Sequence, residues 1–336
     1  MRERLLPYLA CPACRSDLGL SAQDCQRDHV MTGVLTCTGC RAAYPIRDGI
    51  PRLGTAVEHL EERTAAAFGH EWTVYNHLVD HYRTQFLDWI RPVDERFFRG
   101  RAVLEGGCGK GRHTALAAEF GATDVVAIDL GVAVEPAFAN TRHLPNAHVV
   151  QADLKRPPVK RVFDYAYSIG VLHHLPDPEA GFQALASCVR PGGAVSAWVY
   201  GREGNGWIVH LVSPVRTNIT SRMPHGLLNA FSVVLTIPLF LVTKLVYRPA
   251  TGTALGTRLP YGEYLRYISR FPYREQRLIL FDHLVAPVAH YLRRDEFLTW
   301  FERAGLEHPR IAHHNGNSWR GFAYVPVGQQ PASPAP

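Results

Sequence analysis

A short glycine-rich segment, E-G-G-C-G-K-G over residues 105–111, constrains the fold of this chain more than any other feature. It follows an apolar run over 102–104 and precedes a helix-like run over 114–120. Strand, tight glycine turn and helix in this order are how a doubly wound α/β sheet presents a nucleotide at the end of its first strand. Glycines have no Cβ, so the backbone can turn sharply there and approach a ligand closely. The segment predicts an α/β fold with a nucleotide at this turn.

Later strand-like runs place acidic residues where this fold uses them. The run over 125–128 ends at Asp129, about twenty positions beyond the turn, where a carboxylate can accept hydrogen bonds from ribose hydroxyls. The run over 148–150 leads to Asp153 and Leu154. There a carboxylate can accept from an exocyclic adenine amine while the leucine lies against the ring. Two further strands are predicted over 163–168 and 194–200, with a helix over 179–189 between them. A late helix that opens at Asp295 and strands over 309–313 and 319–325 complete the sheet.

Two C-x-x-C pairs near the N-terminus predict a metal site. They supply Cys11 with Cys14 and Cys37 with Cys40, a spacing that suits a tetrahedral zinc ribbon with four thiolate ligands. The alternative is a vestigial or redox-active pair. Four protein ligands leave no position for a substrate, so the zinc is expected to be structural, and metal binding should supply much of the folding energy of so small a module.

The central motifs together resemble those of the class I methyltransferases that use S-adenosylmethionine (SAM). The matching text is V-L-E-G-G-C-G-K-G-R-H, the acidic end of V-A-I-D-L, Q-A-D-L, and the stretch from F-D-Y-A-Y-S-I-G-V-L-H-H-L-P-D-P through V-R-P-G-G. The resemblance covers about residues 100–200 and resumes near residue 293. A dinucleotide dehydrogenase would share the glycines and the acid at 129, but it would not predict Asp153 or the spacing from H-H-L-P-D-P to P-G-G. One departure is Glu105-Gly106, where aspartate and alanine or valine are more common.

This resemblance implies a cofactor and a set of residues that bind it. Glu105, Gly107, Gly109 and Asp129 should hold the amino acid and the ribose of SAM, and Asp153 and Leu154 should hold the adenine. The implied cofactor-binding residues are Glu105, Gly106, Gly107, Gly109, Gly111, Asp129, Leu130, Asp153 and Leu154. Residues 1–54 in turn resemble the small zinc-ribbon proteins that associate with, or are fused to, methyltransferases.

Chemistry on SAM needs little from the protein beyond alignment and proton transfer, because the sulfonium already makes the methyl group electrophilic. A general base adds about 10²–10⁴-fold when the acceptor is a hydroxyl or phenol. His173 and His174 follow the fourth strand at its carboxyl end, where ligands collect in this fold. We name both as candidate catalytic residues and prefer His173 as base or substrate orienter. The alternative is that both rings pack within the loop, which fits His174 better.

The segment over 201–292 lies between the fifth strand and the late helix, so we expect it to be an insertion that covers the substrate pocket. Within it, residues 227–246 are almost wholly apolar. Three interpretations stay open: a buried helix or apolar substrate wall, a helix docked on a membrane surface, and a membrane span. Aromatic residues and histidines in the insertion and in the preceding helical stretch could contact a substrate or could only pack. The tentative substrate residues are Trp72, Tyr261, Tyr264, His283 and Tyr291.

The predicted fold class is therefore α/β, a doubly wound, Rossmann-like, seven-stranded methyltransferase sheet with an N-terminal zinc ribbon and a helical cap insertion. Five regions follow. They are a zinc ribbon over 1–54, a helical linker or lid over 55–100, a SAM-binding core over 101–200 and 293–327, the cap over 201–292, and a disordered tail over 328–336.

Composition narrows the choice of function. The net charge is +6 without an arginine block, so nucleic acid is an unfavoured partner. Seven cysteines and no recognisable signal peptide lead us to expect a cytoplasmic enzyme. The leading hypothesis is a methyltransferase for a bulky, apolar small molecule in bacterial natural-product biosynthesis, with oxygen as acceptor. The alternatives are SAM-dependent ring closure on the same fold, an rRNA or tRNA methyltransferase, and a non-enzymatic partner that docks through the ribbon. Membrane-surface contact and the oligomeric state stay open.

Overall fold

The computed structural model describes residues 1–54, 59–79 and 81–328. The tail that the sequence predicts over 328–336 lies outside them except for its first residue. The described part of the chain forms two sheets, which confirms the predicted fold class. The first is a four-stranded antiparallel sheet with sequential order, made of β1 (Leu18–Gln26), β2 (His29–Cys37), β3 (Ala43–Arg47) and β4 (Ile50–Pro51).

The second sheet has seven strands in the order β10-β11-β9-β8-β5-β6-β7. Five neighbouring strands, β9, β8, β5, β6 and β7, run parallel to one another. Strand β11 pairs antiparallel with both β9 and β10. The strand order reverses between β5 and β8, and ligands bind at such a switch point in open α/β sheets. The strands are β5 (Ala102–Gly106), β6 (Asp124–Asp129), β7 (Ala147–Gln151), β8 (Phe163–Ile169), β9 (Val189–Tyr200), β10 (Glu307–His314) and β11 (Ser318–Tyr324).

Helices cover the sheet and fill the segment between β9 and β10. Local sequence explains several of their ends; the Asp177 side chain, for example, accepts from the Ala180 amide at 3.0 Å and caps α5, whose first residue is proline. The helices are α1 (His59–Val74), α2 (His81–Trp89), α3 (Arg112–Glu119), α4 (Val134–Thr141), α5 (Pro178–Ser187), α6 (Ser213–Asn218), α7 (His225–Val242), α8 (Ala254–Arg258), α9 (Gly262–Ile268), α10 (Tyr273–Val285) and α11 (Arg294–Arg303). We call α6 to α10 the inserted helices.

The ribbon packs directly on the large sheet. Parallel strands usually connect through a helix, but the residues between β7 and β8 form none. The N-terminal segment lies against this connection instead, with a bridge between Leu9 and Val159 and the Tyr8 ring stacked on Phe163. Ribbon and sheet residues consequently share one buried apolar cluster. The ribbon therefore belongs to the same core as the large sheet.

One helical run among the described residues, Gly226–Tyr247, is long and apolar enough to cross a membrane by length and composition. It comprises α7 and the turn that follows it; an 18-residue stretch of it has a mean hydropathy of 2.0, and 22% of that stretch is buried. A core helix of a soluble protein would be mostly buried, so the exposed apolar side chains of this run need a different explanation.

Candidate functional site

The glycine turn after β5 adopts a backbone that side chains would disturb. Gly107 has φ +79° and Gly109 has φ +50°, both in the left-handed region that favours glycine. A Cβ on Gly107 would lie 2.3 Å from the side chain of Val171, and one on Gly109 would lie 2.9 Å from the indole nitrogen of Trp72. The turn is thus held between two neighbouring side chains, and the Gly107 and Cys108 amides fix it to the end of β6 by donating to the Ile128 carbonyl oxygen at 2.7 and 3.0 Å.

Asp129, at the end of β6, is bonded to this turn. Its Oδ2 accepts from the Gly109 amide at 2.9 Å, and its Oδ1 accepts from the Gly131 amide at 3.1 Å. Burial raises the pKa of this carboxyl, while the backbone hydrogen bonds act in the opposite direction. Each carboxylate oxygen can accept more than one hydrogen bond, so both can still accept from a ligand.

Glu105 lies beneath the turn. Its carboxylate accepts from the Thr114 hydroxyl and lies 3.5 Å from Nδ1 of His113. Burial raises the pKa of Glu105 to about 8. The side chain is 1% exposed, so its contacts hold β5 against α3 within the protein.

One cavity at the carboxyl ends of the strands brings together most of the predicted cofactor residues. Those that line it are Gly107, Gly109, Asp129, Leu130, Asp153 and Leu154. Three others, Glu105, Gly106 and Gly111, do not line it. Gly106 packs under Leu154, and Gly111 forms the left-handed N-cap of α3 against the backbone of Ala137.

The same cavity receives some of the tentative substrate residues. Trp72, Tyr264 and His283 line it, whereas Tyr261 and Tyr291 do not. Tyr261 has φ +57° at the start of α9 and packs edge-on against Trp207. Tyr291 stacks on Tyr200.

The two candidate histidines occupy different positions. His173 does not line the cavity; its ring lies over that of Tyr200 with the centroids 3.9 Å apart, and neither of its nitrogens has a hydrogen-bond partner among the described residues. His174 lines the cavity, and its Nδ1 lies 2.6 Å from the Val288 carbonyl oxygen. A carbonyl only accepts, so Nδ1 carries the proton and Nε2 keeps a lone pair. Burial lowers the pKa of His174 to about 3.

Sequence reasoning missed Lys110, which joins the turn to the segment after α1. Its Nζ donates to the carbonyl oxygens of Tyr75 and His77 at 2.7 and 2.9 Å and to the Tyr82 hydroxyl at 2.9 Å. Burial lowers its pKa to about 7. A signal was present, because this is one of only four lysines in an arginine-rich chain and it lies within the turn.

Two acidic residues of the cavity were also missed. Glu71, on α1, is 0% exposed, and neither carboxylate oxygen has a hydrogen-bond partner among the described residues. Burial and then the charge of Asp282 raise its pKa well above the ordinary value. Asp282, on α10, accepts from the Tyr200 hydroxyl at 3.2 Å, and burial raises its pKa to about 6. No spacing signal links residues so far apart in the chain.

The four ribbon cysteines converge as zinc ligands must. All four Sγ atoms lie within 4.8 Å of one another, with Cys11 3.7 Å from Cys40 and Cys14 3.4 Å from Cys37. Zn–S bonds of about 2.3 Å in a tetrahedron separate the sulfurs by roughly 3.8 Å, so the cluster fits zinc. This confirms the predicted structural zinc site, in which all four positions are protein ligands.

Two family models match the chain. The methyltransferase-domain model matches residues 78–308, well over half of the chain, and the Trm112p-like protein model matches residues 2–49. Both agree with the sheet, the glycine turn and the cysteine cluster described above.

Curated relatives match over shorter lengths. An uncharacterized protein of Synechococcus is 35% identical over 133 residues, covering 34% of this chain and 31% of that protein. The tRNA U34 carboxymethyltransferase of Azotobacter vinelandii is 34% identical over 34% of this chain and 38% of its own length. The ubiquinone biosynthesis O-methyltransferase of Escherichia coli is 31% identical over 38% of this chain and 53% of its own length. The chain thus spans about a third of the first two relatives and about half of the third.

Solved structures resemble the chain only weakly. Magnesium protoporphyrin IX methyltransferase from Synechocystis has a TM-score of 0.41 and 14% identity, covering 81% of this chain and 89% of that one. The Haloferax volcanii complex between the Trm112 methyltransferase activator and a methyltransferase has a TM-score of 0.44 and 12% identity, covering 81% of this chain and 100% of that one. The assignment rests on the family matches and the site: the chain belongs to the methyltransferase-domain family, as a class I SAM-dependent methyltransferase with a Trm112p-like zinc ribbon.

Proposed function

We propose that this methyltransferase methylates an oxygen of a bulky, largely apolar small molecule, with Asp282 as the general base. The observation that carries the proposal is the composition of the single cavity described above. One end is lined by the predicted cofactor residues, and the other by side chains of the inserted helices.

The cofactor end has groups that suit SAM. The two oxygens of Asp129 and the carboxylate of Asp153 are available for its polar groups, because each oxygen can accept more than one hydrogen bond. The unpartnered, buried carboxyl group of Glu71 supports a ligand that carries hydrogen-bonding groups. When bound, SAM supplies an electrophilic methyl group, so the protein has to align the acceptor, exclude water and remove a proton.

The acceptor end is dominated by apolar and aromatic side chains, which supports a bulky apolar substrate. From α9, α10 and the loop between them it receives Tyr264, Tyr267, Ile268, Phe271, Leu278 and Ile279. Residues of α1 such as Phe68 close the other side.

Two carboxyl groups with separated pKa values support an acid–base role. Glu71 stays protonated because it is buried beside the charge of Asp282, whereas Asp282 ionises near pH 6. A general base works best with a pKa close to the working pH, which favours Asp282 over His174. In this scheme the single hydroxyl proton of the acceptor goes to Asp282, and the His174 ring, held by its hydrogen bond to Val288, positions the acceptor by packing against it. His173, the residue preferred from the sequence, would act indirectly in this scheme, by packing against the Tyr200 ring on the side away from the cavity.

The test is a methylation assay on hydroxyarenes with long apolar substituents, read by mass spectrometry as the gain of one methylene unit. Turnover should rise with pH through about 6 as Asp282 loses its proton, and Asp282→Asn should lower it by about 10²-fold while SAM affinity is kept. His174→Gln should raise KM and leave the pH profile in place. An Asp282→Asn variant with unchanged turnover and pH profile would contradict the assignment of the base. Cyclisation without methyl transfer would give a product without the added methylene.

A second candidate is an RNA substrate, favoured by the relatives named as tRNA U34 carboxymethyltransferases. A role on RNA predicts binding that weakens steeply with salt, because phosphate contacts release counterions. Filter binding of bulk tRNA at low and physiological salt decides between the two. The natural-product context and the cytoplasmic location stay predictions from the sequence.

A further inference from the structure

Helix α7 has the reverse of the pattern expected for a helix on a water-soluble protein. Such a helix buries its apolar stripe and exposes polar residues. Here Ser232, Thr236 and Thr243, the last in the turn after α7, are 0% exposed, whereas Leu241 is 50% and Leu245 is 71% exposed. The polar groups face the protein and the apolar groups face outward.

Polar contacts with α10 hold this orientation. The Tyr273 hydroxyl donates to the Val233 carbonyl oxygen at 2.6 Å, and the Thr243 hydroxyl donates to Oε1 of Gln276 at 2.9 Å. Arg277 donates through Nε to the Ser232 hydroxyl at 3.2 Å. Rotating the helix to bury its apolar side would leave these buried groups without partners, which is costly.

A second apolar stripe lies on the helical run that ends in α6, which also packs on α10. Every fourth residue of this run is apolar and about half exposed or more. These residues are Trp207, Leu211, Val215 and Ile219. We call these four residues and the exposed apolar residues of Gly226–Tyr247, which include Leu241 and Leu245, the apolar face.

The charge of the same segment is one-sided. Between Gly204 and Gly262 the sequence contains no aspartate or glutamate. It does contain Arg222, Arg248 and Arg258, which are all exposed. A segment that exposes many apolar residues and whose exposed charges are all positive is complementary to an anionic lipid surface.

We propose that the apolar face docks on the interface of an anionic phospholipid bilayer, with α7 lying along the surface. A membrane span is disfavoured because α7 is bonded along α10, which carries Arg274, Glu275 and Arg277; these charges do not enter hydrocarbon readily. Helix α10 connects the apolar face to the cavity, because it packs on α7 and also lines the cavity through Leu278 and Asp282. Docking would let the cavity take an acceptor that is dissolved in the bilayer, and this part of the inference rests on the proposed function. The docking itself does not depend on that function.

The experiment is co-sedimentation of the full chain with vesicles of phosphatidylcholine alone and of phosphatidylcholine with phosphatidylglycerol. We expect binding to the anionic vesicles, weakening as salt is raised and several-fold weaker on neutral vesicles. Leu241→Glu combined with Leu245→Glu should weaken binding by about tenfold or more. Val162→Glu, at an exposed valine outside the inserted helices, is the matched control and should bind like the wild type.

Fold and site are monitored separately, by circular dichroism and by SAM binding, which should be the same for all variants. Docking is overturned if the wild-type chain stays in the supernatant, or if the double variant binds as the wild type does. A wild-type dimer in analytical ultracentrifugation that the double variant abolishes, without vesicle binding, would assign the face to a second copy of the chain instead. Resistance of the bound protein to extraction at alkaline pH would indicate a span and also contradict the proposal.

Discussion

The backbone amide of Gly109 donates to Oδ2 of Asp129 at 2.9 Å, so the turn after β5 and the end of β6 hold one another in place. The same carboxylate faces the cavity. Asp129 therefore has two roles in our account: it shapes the turn and it presents an acceptor to the cofactor. Changes in the turn and changes in Asp129 should affect cofactor binding together.

The first prediction concerns Gly107. Gly107→Ala should abolish SAM binding, because the added Cβ would meet Val171 at 2.3 Å in addition to the backbone strain at φ +79°. Gly100→Ala is the matched control, since Gly100 has φ +69° and nothing within 4 Å of the added Cβ. The control should cost about 1–2 kcal/mol of stability through strain alone and leave SAM affinity unchanged. Equal SAM affinity in both variants would refute the close packing of the turn.

The second prediction concerns Lys110. Lys110→Met should weaken SAM binding and speed amide hydrogen exchange in residues 71–79, because two hydrogen bonds join this lysine to the segment after α1 and a third joins it to Tyr82 on α2. Lys160→Met removes a surface ion pair with Asp17 and should change neither measurement. Unchanged exchange in residues 71–79 of the Lys110 variant would argue against this anchoring role.

The third prediction concerns the pH dependence of stability through Glu105. Its pKa is about 8 in the folded protein against an ordinary value of 4.5, so the folded state keeps a proton that the unfolded state loses. Stability from this group is present below pH 4.5 and is lost as pH rises to 8, at roughly 1.4 kcal/mol per pH unit at most. Glu105→Gln should therefore gain Tm relative to the wild type between pH 5 and pH 8. Thr114→Val removes the hydrogen bond without removing the titration and should follow the wild-type slope; parallel curves for Glu105→Gln and wild type would contradict the shift.

Much of the fold and of the cofactor site could be predicted from the sequence, because the residues that define them lie close together in the chain. Parallel strands buried on both faces read as continuous apolar runs, and the acid at residue 129 follows such a run directly. The zinc ligands come in two short motifs whose spacing is diagnostic. These features specified the sheet, the cofactor turn and the metal site.

Other features depend on contacts that spacing does not reveal. Glu71 and Asp282 meet only because α1 and α10 pack together. Neighbouring histidines in one tight turn point differently, so His174 reaches the cavity and His173 does not. The Tyr261 and Tyr264 rings pack edge-on with their centroids 5.7 Å apart, yet only Tyr264 lines the cavity. The direction in which the polar stripe of α7 faces is likewise set by α10.

The fourth prediction concerns zinc. Removing the metal with a chelator, or introducing Cys14→Ser, should lower the Tm of the whole chain by roughly 5 °C or more in a single transition, because ribbon and sheet share one apolar cluster. Cys25→Ser, at an exposed cysteine outside the cluster, should leave zinc content and Tm unchanged. Differential scanning calorimetry with metal analysis measures both. A separate low-temperature transition for the ribbon would contradict the shared core.

The most direct test of the account is calorimetric titration of the full chain with SAM and with its demethylated product. We expect a Kd on the order of micromolar for the wild type, weakened by about 10–100-fold in Asp129→Ala, because hydrogen bonds to a charged group are lost. Asp295→Ala, at an exposed aspartate on α11, should bind as the wild type does. Absence of heat with either nucleoside, or equal affinity in Asp129→Ala, would contradict a cofactor site at the ends of β5 and β6.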